Sequence, residues 1–203
     1  MSDNIVNDIK QIWDNAEVET EQSVSESVCQ ILDSGNRREF NSGAVRDIDE
    51  NKGRMDLLPL DTVSVYFNTL IDSNNPKSDK AFTVCNILNS LEKAIRNKDD
   101  YRSAITQAIT SFVGEQYEGN PATALMELSI HYKEGAKKYA ERNWEKGIPC
   151  HCYVDSALRH LMKWYDGWDD EPHDRAVLWN LFGLMWTIEH RPEMNDLPWE
   201  ADK

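Results

Sequence analysis

The stretch "DSALRHLMKWYDGWDDEPHDRAVLWN", Asp155 to Asn180, concentrates side chains that can handle a metal ion and a phosphate. Asp155, Arg159, Met162 and Asp166 fall near one face of a helix, and Asp166, Asp169, Asp170, Glu171 and Asp174 then crowd a short turn. Carboxylates this close repel one another unless a cation, an arginine or a helix N-terminus offsets them. Pro172 marks a helix start, so capping is one reading. The other is a magnesium site in which Asp166, Asp169, Asp170 and Asp174 supply oxygens and leave positions open for substrate phosphates. His160 or His173 would orient or activate a water, with Asp170 counted beside them as a catalytic candidate. Asn180 shares a helical stripe with His173, Val177 and Leu184 and so faces the core or a cavity. An unpartnered buried amide costs about 1–3 kcal/mol, so it must bond to a neighbouring side chain or a ligand.

A second stretch, "HYKEGAKKYAERNWEKGIP" (His131 to Pro149), mixes cations, carboxylates and aromatics in an acidic chain. Lys133, Lys137, Lys138, Arg142 and Lys146 could face a phosphate, Arg142 through two parallel hydrogen bonds and a lysine as a point charge. The same spacing fits a solvated face with Glu134–Lys138 and Lys137–Glu141 pairs, each contributing about 0.2–0.5 kcal/mol. Trp144, set among charges near a helix end, either packs down or stacks on something flat. Lys138, Arg142, Asn143, Trp144, Lys146, Arg159 and Asn180 form the expected substrate-binding set. Glu127, His131 and Glu134 lie at i, i+4 and i+7 on one face, where they could ligate a metal or form an ion-paired stripe. "CHC" at Cys150 to Cys152 has no second Cys/His pair after it and reads poorly as a zinc site.

Helices must position these groups. Apolar residues recur at helical spacing from Leu60 to Leu70, through Phe82, Cys85, Leu88, Leu91 and Ile95, and through Tyr101, Ile105, Ala108, Ile109 and Phe112. Asn120 and Pro121 open the next helix as cap and first residue. Its stripe is Leu125, Leu128, Tyr132, Gly135 or Ala136, and Tyr139, and Gly147 and Pro149 end it. Two further helices carry Val154, Leu158, Leu161 and Tyr165, then Ala176, Val177, Leu181, Leu184 and Ile188. The segment from Ser34 to Pro59 has little periodicity and reads as a loop. No convincing alternating strand is present. The class is all-α: a helical bundle with a helical insertion at about 61–123 and a flexible acidic N-terminal arm over residues 1–41, which opens with a short helix.

The formal net charge of −14 over 203 residues argues against nucleic-acid polymers and anionic membranes, which would be repelled. A small nucleotide is still accommodated, because local cations or a metal can reverse the sign at one site. The longest mostly apolar run, Ala176 to Ile188, is too short to span a bilayer. The N-terminus lacks the pattern of a secretory signal, and reduced thiols in cytoplasm are expected for the four cysteines.

Four blocks, "GAVRDIDENKGRMDLLP" (Gly43 to Pro59), "HYKEGAKKYAERNWEKGIP", "DSALRHL" (Asp155 to Leu161) and "DDEPHDRAVLWN" (Asp169 to Asn180), together resemble the N-terminal domain of phage dATP/dGTP diphosphohydrolases. The resemblance runs over residues 42–203 as one domain. It implies cleavage of dATP or dGTP to the monophosphate and pyrophosphate with a divalent metal, Mg2+, inside a bacterial host. The alternatives are a non-catalytic module that binds or sequesters a purine nucleotide, as in counter-defence, and a structural homo-oligomer.

Overall fold

The computed structural model describes residues 35–48 and 52–199; most of the expected acidic arm lies outside them. Six α-helices carry the fold, as the periodicity predicts. They are α1 (Leu60–Asn68), α2 (Ser78–Arg96), α3 (Tyr101–Gln116), α4 (Pro121–Tyr139), α5 (Cys150–Asp166) and α6 (His173–His190). One departure lies in the segment read as a loop. Arg37–Glu39 (β1) and Val45–Asp47 (β2) pair antiparallel as a short hairpin, with Arg38 opposite Arg46. Three-residue strands rich in charge carry no readable alternation, so the pairing is invisible in the sequence.

α5 and α6 are antiparallel partners at the centre. Leu158, Leu161, Leu178 and Leu181 are at most 1% exposed between them and their neighbours, each contributing roughly 1.5–3 kcal/mol by burial. Gly167 closes α5 in the left-handed region; the Trp168 N–H donates to the Lys163 carbonyl at 3.0 Å and the Gly167 N–H to the Trp164 carbonyl at 3.2 Å, as a Schellman stop requires. The turn that follows is short and delivers His173 back beside His160. α3 and α4 pack on α6, α2 packs on α3 and α5, α1 covers α2, and the 3-10 turn Met55–Leu57 packs on α5.

One expected core stripe, that of α4, is rotated, and one residue of the α2 stripe falls outside the core. α4 buries Ala124, Leu128 and His131 while Leu125 is 53% exposed, because α6 is its principal partner. Phe82 is likewise exposed. α4 also stops at Tyr139, not at Gly147: Ala140 takes a φ of 83° and Arg142 a φ of 55°, which breaks the helix before a separate 3-10 turn, Asn143–Lys146. Asn120 caps α4 as expected, its Oδ1 accepting from the N–H groups of Ala122 and Thr123 at 3.0 and 3.3 Å.

Candidate functional site

The hairpin lies across α5 and the end of α4, and a hollow of about 480 Å³ opens between them and α6. Asn143 anchors the arrangement. It is buried, its Oδ1 accepts from the Val45 N–H at 2.9 Å, and its Nδ2 donates to the Val45 carbonyl at 2.8 Å. Five cations line the hollow, Arg38, Arg46, Lys52, Arg159 and Lys163, against three carboxylates, Asp47, Asp155 and Glu171. A chain carrying −14 overall thus turns locally positive at one concavity, which suits an anion.

Arg46 is the most firmly held of these cations. Nη1 donates to the Cys152 carbonyl at 3.0 Å, and Nη2 donates to Ser156 Oγ at 3.1 Å and Asn180 Oδ1 at 3.2 Å. Its guanidinium also sits 5.6 and 5.4 Å from the ring centres of Tyr153 and Trp179. The buried Asn180 amide is therefore satisfied by Arg46 and, through Nδ2, by the Ala176 carbonyl at 2.7 Å. Arg159 pairs with Asp155 and donates to the Gly53 carbonyl at 3.1 Å. Partial burial, and then the nearby Arg159 charge, push the Lys52 ammonium below its ordinary range.

At one wall of the hollow, donor atoms from both central helices and their turn converge. His160 Nδ1 is 3.0 Å from His173 Nδ1, and Glu171 Oε1 stands 3.5 Å from the first and 3.7 Å from the second. This triangle is of the size that three ligands of one cation make. His173 Nε2 lies 2.7 Å from Asp170 Oδ1, and Lys163 holds the other Asp170 oxygen at 2.8 Å. With Nε2–H donating to the carboxylate, His173 Nδ1 keeps its lone pair, which is how a carboxylate fixes a metal-binding imidazole. Burial, and then the neighbouring His173, push His160 well below the usual imidazole range, so it is neutral, the form that ligates. Two imidazoles and one carboxylate fit a transition metal such as zinc or manganese better than magnesium.

The four aspartates of the acidic turn do not share this spot. Asp166 is exposed and bonds Lys77 at 3.2 Å and Trp168 Nε1 at 2.9 Å. Asp174 turns towards α3, accepting from the Tyr117 hydroxyl at 2.8 Å. Asp169 is exposed. Among the four, Asp170 is the one that touches the imidazole pair. Glu127 is bonded by Arg175 at 2.8 Å, which separates it from His131. His131 instead faces the hollow, 9% exposed, with Nδ1 buried and unpartnered.

The cations of the second stretch disperse. Lys138 is drawn into the hairpin, 2.6 Å from Asp47 Oδ2. Arg142 pairs with Glu145 at the surface, and Lys146 is exposed. Arg142 and Trp144 line a neighbouring slot of about 390 Å³, with Tyr132, Tyr139 and Trp179 as further aromatic walls. Slot and hollow share Gly135, Tyr139, Asn143 and Trp179. Trp144 itself packs edge-on against Trp186 with ring centres 4.7 Å apart.

Arg46, Asp47 and Lys52 are the site residues that spacing alone does not single out, although all three lie within the Gly43–Pro59 block. Glu171 is visible in the acidic turn but indistinguishable there from its neighbours. Residues 106–197 match the family described as dATP/dGTP diphosphohydrolase, N-terminal. The match begins inside α3, so the hairpin, α1 and α2 lie before it. No curated protein and no solved structure matches the chain. Among the described residues, no helix is long and apolar enough to cross a membrane.

Proposed function

We propose, from the match of residues 106–197 to the dATP/dGTP diphosphohydrolase N-terminal family, that the chain hydrolyses a purine deoxynucleoside triphosphate between the α and β phosphates. The observation that carries this reading is the convergence of His160, Glu171 and His173 at the wall of a cation-lined hollow. These three residues hold a divalent metal, which when bound supplies charge to the phosphate oxygens and acidity to a water. Asp170 orients His173. Arg46, Lys52, Arg159 and Lys163 balance triphosphate charge, with Arg46 already fixed in place before the ligand arrives, so little is lost in ordering it. The unpartnered His131 Nδ1 is available to bond the ligand or its water. The aromatic slot beside the hollow takes the base, next to Trp144 and Tyr139.

Incubation of dGTP and dATP with the pure protein and Mg2+, Mn2+ or Zn2+, followed by chromatography, tests the reading. Monophosphate and pyrophosphate should appear together and fall at least about 100-fold in His173→Ala and Glu171→Gln, the scale of losing a metal ligand or its support. Intact triphosphate with every metal refutes hydrolysis.

One observation favours a second reading, a nucleotide-binding module without turnover. Arg46, Arg159 and Lys163 are already engaged by protein oxygens, which holds a ligand without leaving charge free to follow a leaving group. Calorimetric binding of dGTP with no product would establish it.

A further inference from the structure

We propose that the Cys152 sulfur, set in the wall of the hollow between His151 and Arg38, is a modification site for small oxidants of the peroxide class that is separate from the His160–Glu171–His173 triangle. Its surroundings come from three different parts of the chain. From α5, His151 Nε2 lies 3.3 Å from the Cys152 sulfur. From the C-terminal segment, Asp196 grips the same imidazole: Oδ2 bonds His151 Nδ1, and Oδ1 accepts the His151 backbone N–H at 2.9 Å. From β1, Arg38 Nη2 donates to the sulfur at 3.0 Å. The residue also lies in the first turn of the 17-residue helix α5, the positive end of its dipole.

Asp196 does for His151 what a carboxylate does for a catalytic imidazole: it fixes the ring and keeps it charged. The hydrogen bond that His151 donates to Asp196, and then the contact with Cys152, raise His151 to about 10. A charged imidazole carries N–H at both nitrogens, so with Nδ1–H on Asp196 the Nε2–H is left for the sulfur. Two cationic donors from separate elements then meet on one sulfur atom, where they offset negative charge on sulfur as it attacks.

The other described cysteines provide the contrast. Cys150, in the same helical turn, is fully buried, and burial, followed by the Asp196 and Cys152 charges, pushes its thiol up to about 12. Cys85 and Cys152 are both buried, at 8% and 4% exposure, so the contrast lies in their partners: Cys85 donates to the Ser64 carbonyl at 3.5 Å and meets no cation among the described residues. Cys152 alone of these three lines the hollow, which is wide enough for a molecule the size of hydrogen peroxide to enter.

The reaction balances with peroxide as the only co-reactant. The Cys152 thiolate attacks one oxygen of H2O2, an S–O bond forms as the O–O bond breaks, and hydroxide leaves and is protonated to water. Sulfur loses two electrons, peroxide gains them, and the product is the sulfenic acid.

The test uses the full chain at neutral pH. A limiting pulse of iodoacetamide, read by peptide-resolved mass spectrometry, should label Cys152 at least about tenfold faster than Cys85 or Cys150. His151→Gln should slow Cys152 and leave the other two unchanged. A short peroxide exposure followed by dimedone should place the sulfenic adduct on Cys152. Equal labelling of Cys152 and Cys150 in the unaltered chain overturns the proposal without recourse to any variant. So does a Cys152 rate indifferent to His151→Gln in a chain whose Cys85 and Cys150 rates show it still folded.

Discussion

Arg46 shows how much a single side chain organises here. It joins the hairpin to α5 and α6 through three oxygen acceptors and lies against two aromatic rings. A lysine keeps the charge but not the planar fork that reaches several acceptors at once. Arg46→Lys should therefore weaken nucleotide binding by about tenfold, as read by calorimetry, and leave Asn180 Oδ1 without its donor. The ring of Tyr153 depends in turn on Gly183, where a Cβ would stand 2.4 Å from Tyr153 Cε1. Tyr153 is fully buried and cannot step aside. Gly183→Ala should destabilise the fold by roughly 1–3 kcal/mol in urea unfolding, the usual cost of overpacking. The His151–Asp196 pair gives a pH signature. His151 is raised to about 10; partial burial is the largest single influence on Asp196 and opposes its charge, but the side-chain and backbone hydrogen bonds from His151, with its charge, together hold Asp196 below its ordinary value. The groups facing the ring are Asp196 on one side and the Cys152 sulfur on the other. A raised imidazole contributes stability in full below its unfolded value near 6.5 and loses it as pH climbs towards 10. The carboxylate's share is present above about 4 and is lost in acid. Asp196→Asn should thus destabilise most between about pH 4 and 6.5, and the gap from the parent chain should close by about pH 10. A gap that widens as pH rises from about 6.5 to 10 would contradict the pairing.

At the scale of elements, two asparagines do different work from residues of the same type. Asn120 stops the chain and starts α4 by capping it, so Asn120→Ala should cost about 1 kcal/mol, measurable as a small drop in unfolding midpoint with nucleotide binding intact. Asn143 instead joins two elements distant in sequence, bonding both the N–H and the carbonyl of Val45. Asn143→Ala strands those buried groups and should cost roughly 1–3 kcal/mol. It should also release the hairpin that carries Arg38 and Arg46 into the hollow, so hydrogen exchange at Val45 should accelerate while α5 and α6 stay protected. The strained residues Ala140 and Arg142 fall between α4 and this clamp. Residues in such backbone regions persist where the surroundings over-determine them, and here Asn143 is what fixes the next turn.

Over the whole molecule, the excess of acidic groups sets a repulsive background for any polyanion, while the hollow reverses it locally. The His160–Glu171–His173 triangle straddles the α5–α6 turn, so an ion bound there would tie together the two helices that hold the core. Zn2+ or Mn2+ at about 100 times its dissociation constant should stabilise the folded chain by about 2.7 kcal/mol. A thermal scan should show that rise, and EDTA should remove it. His160→Ala should abolish the metal-dependent shift, whereas Asp166→Asn, altering an exposed residue away from the triangle, should preserve it.

The helices could be read directly because each stripe repeats every three to four residues and each end carries a local signal, as at Asn120–Pro121 and Pro172. His160 and His173 were each visible as candidates, as was the enrichment of carboxylates between them, but that the two imidazoles meet was not. Choosing Glu171 and Asp170 from five neighbouring acids was not, because each differs from the next only by the direction its backbone gives it. Nor did periodicity announce the hairpin, whose six paired residues place Arg38 and Arg46 against groups more than a hundred positions away. Local spacing determines which helices form and which faces are apolar. Only the packed chain decides which cation meets which carboxylate, because those distances are set by crossings between elements and not by steps along one.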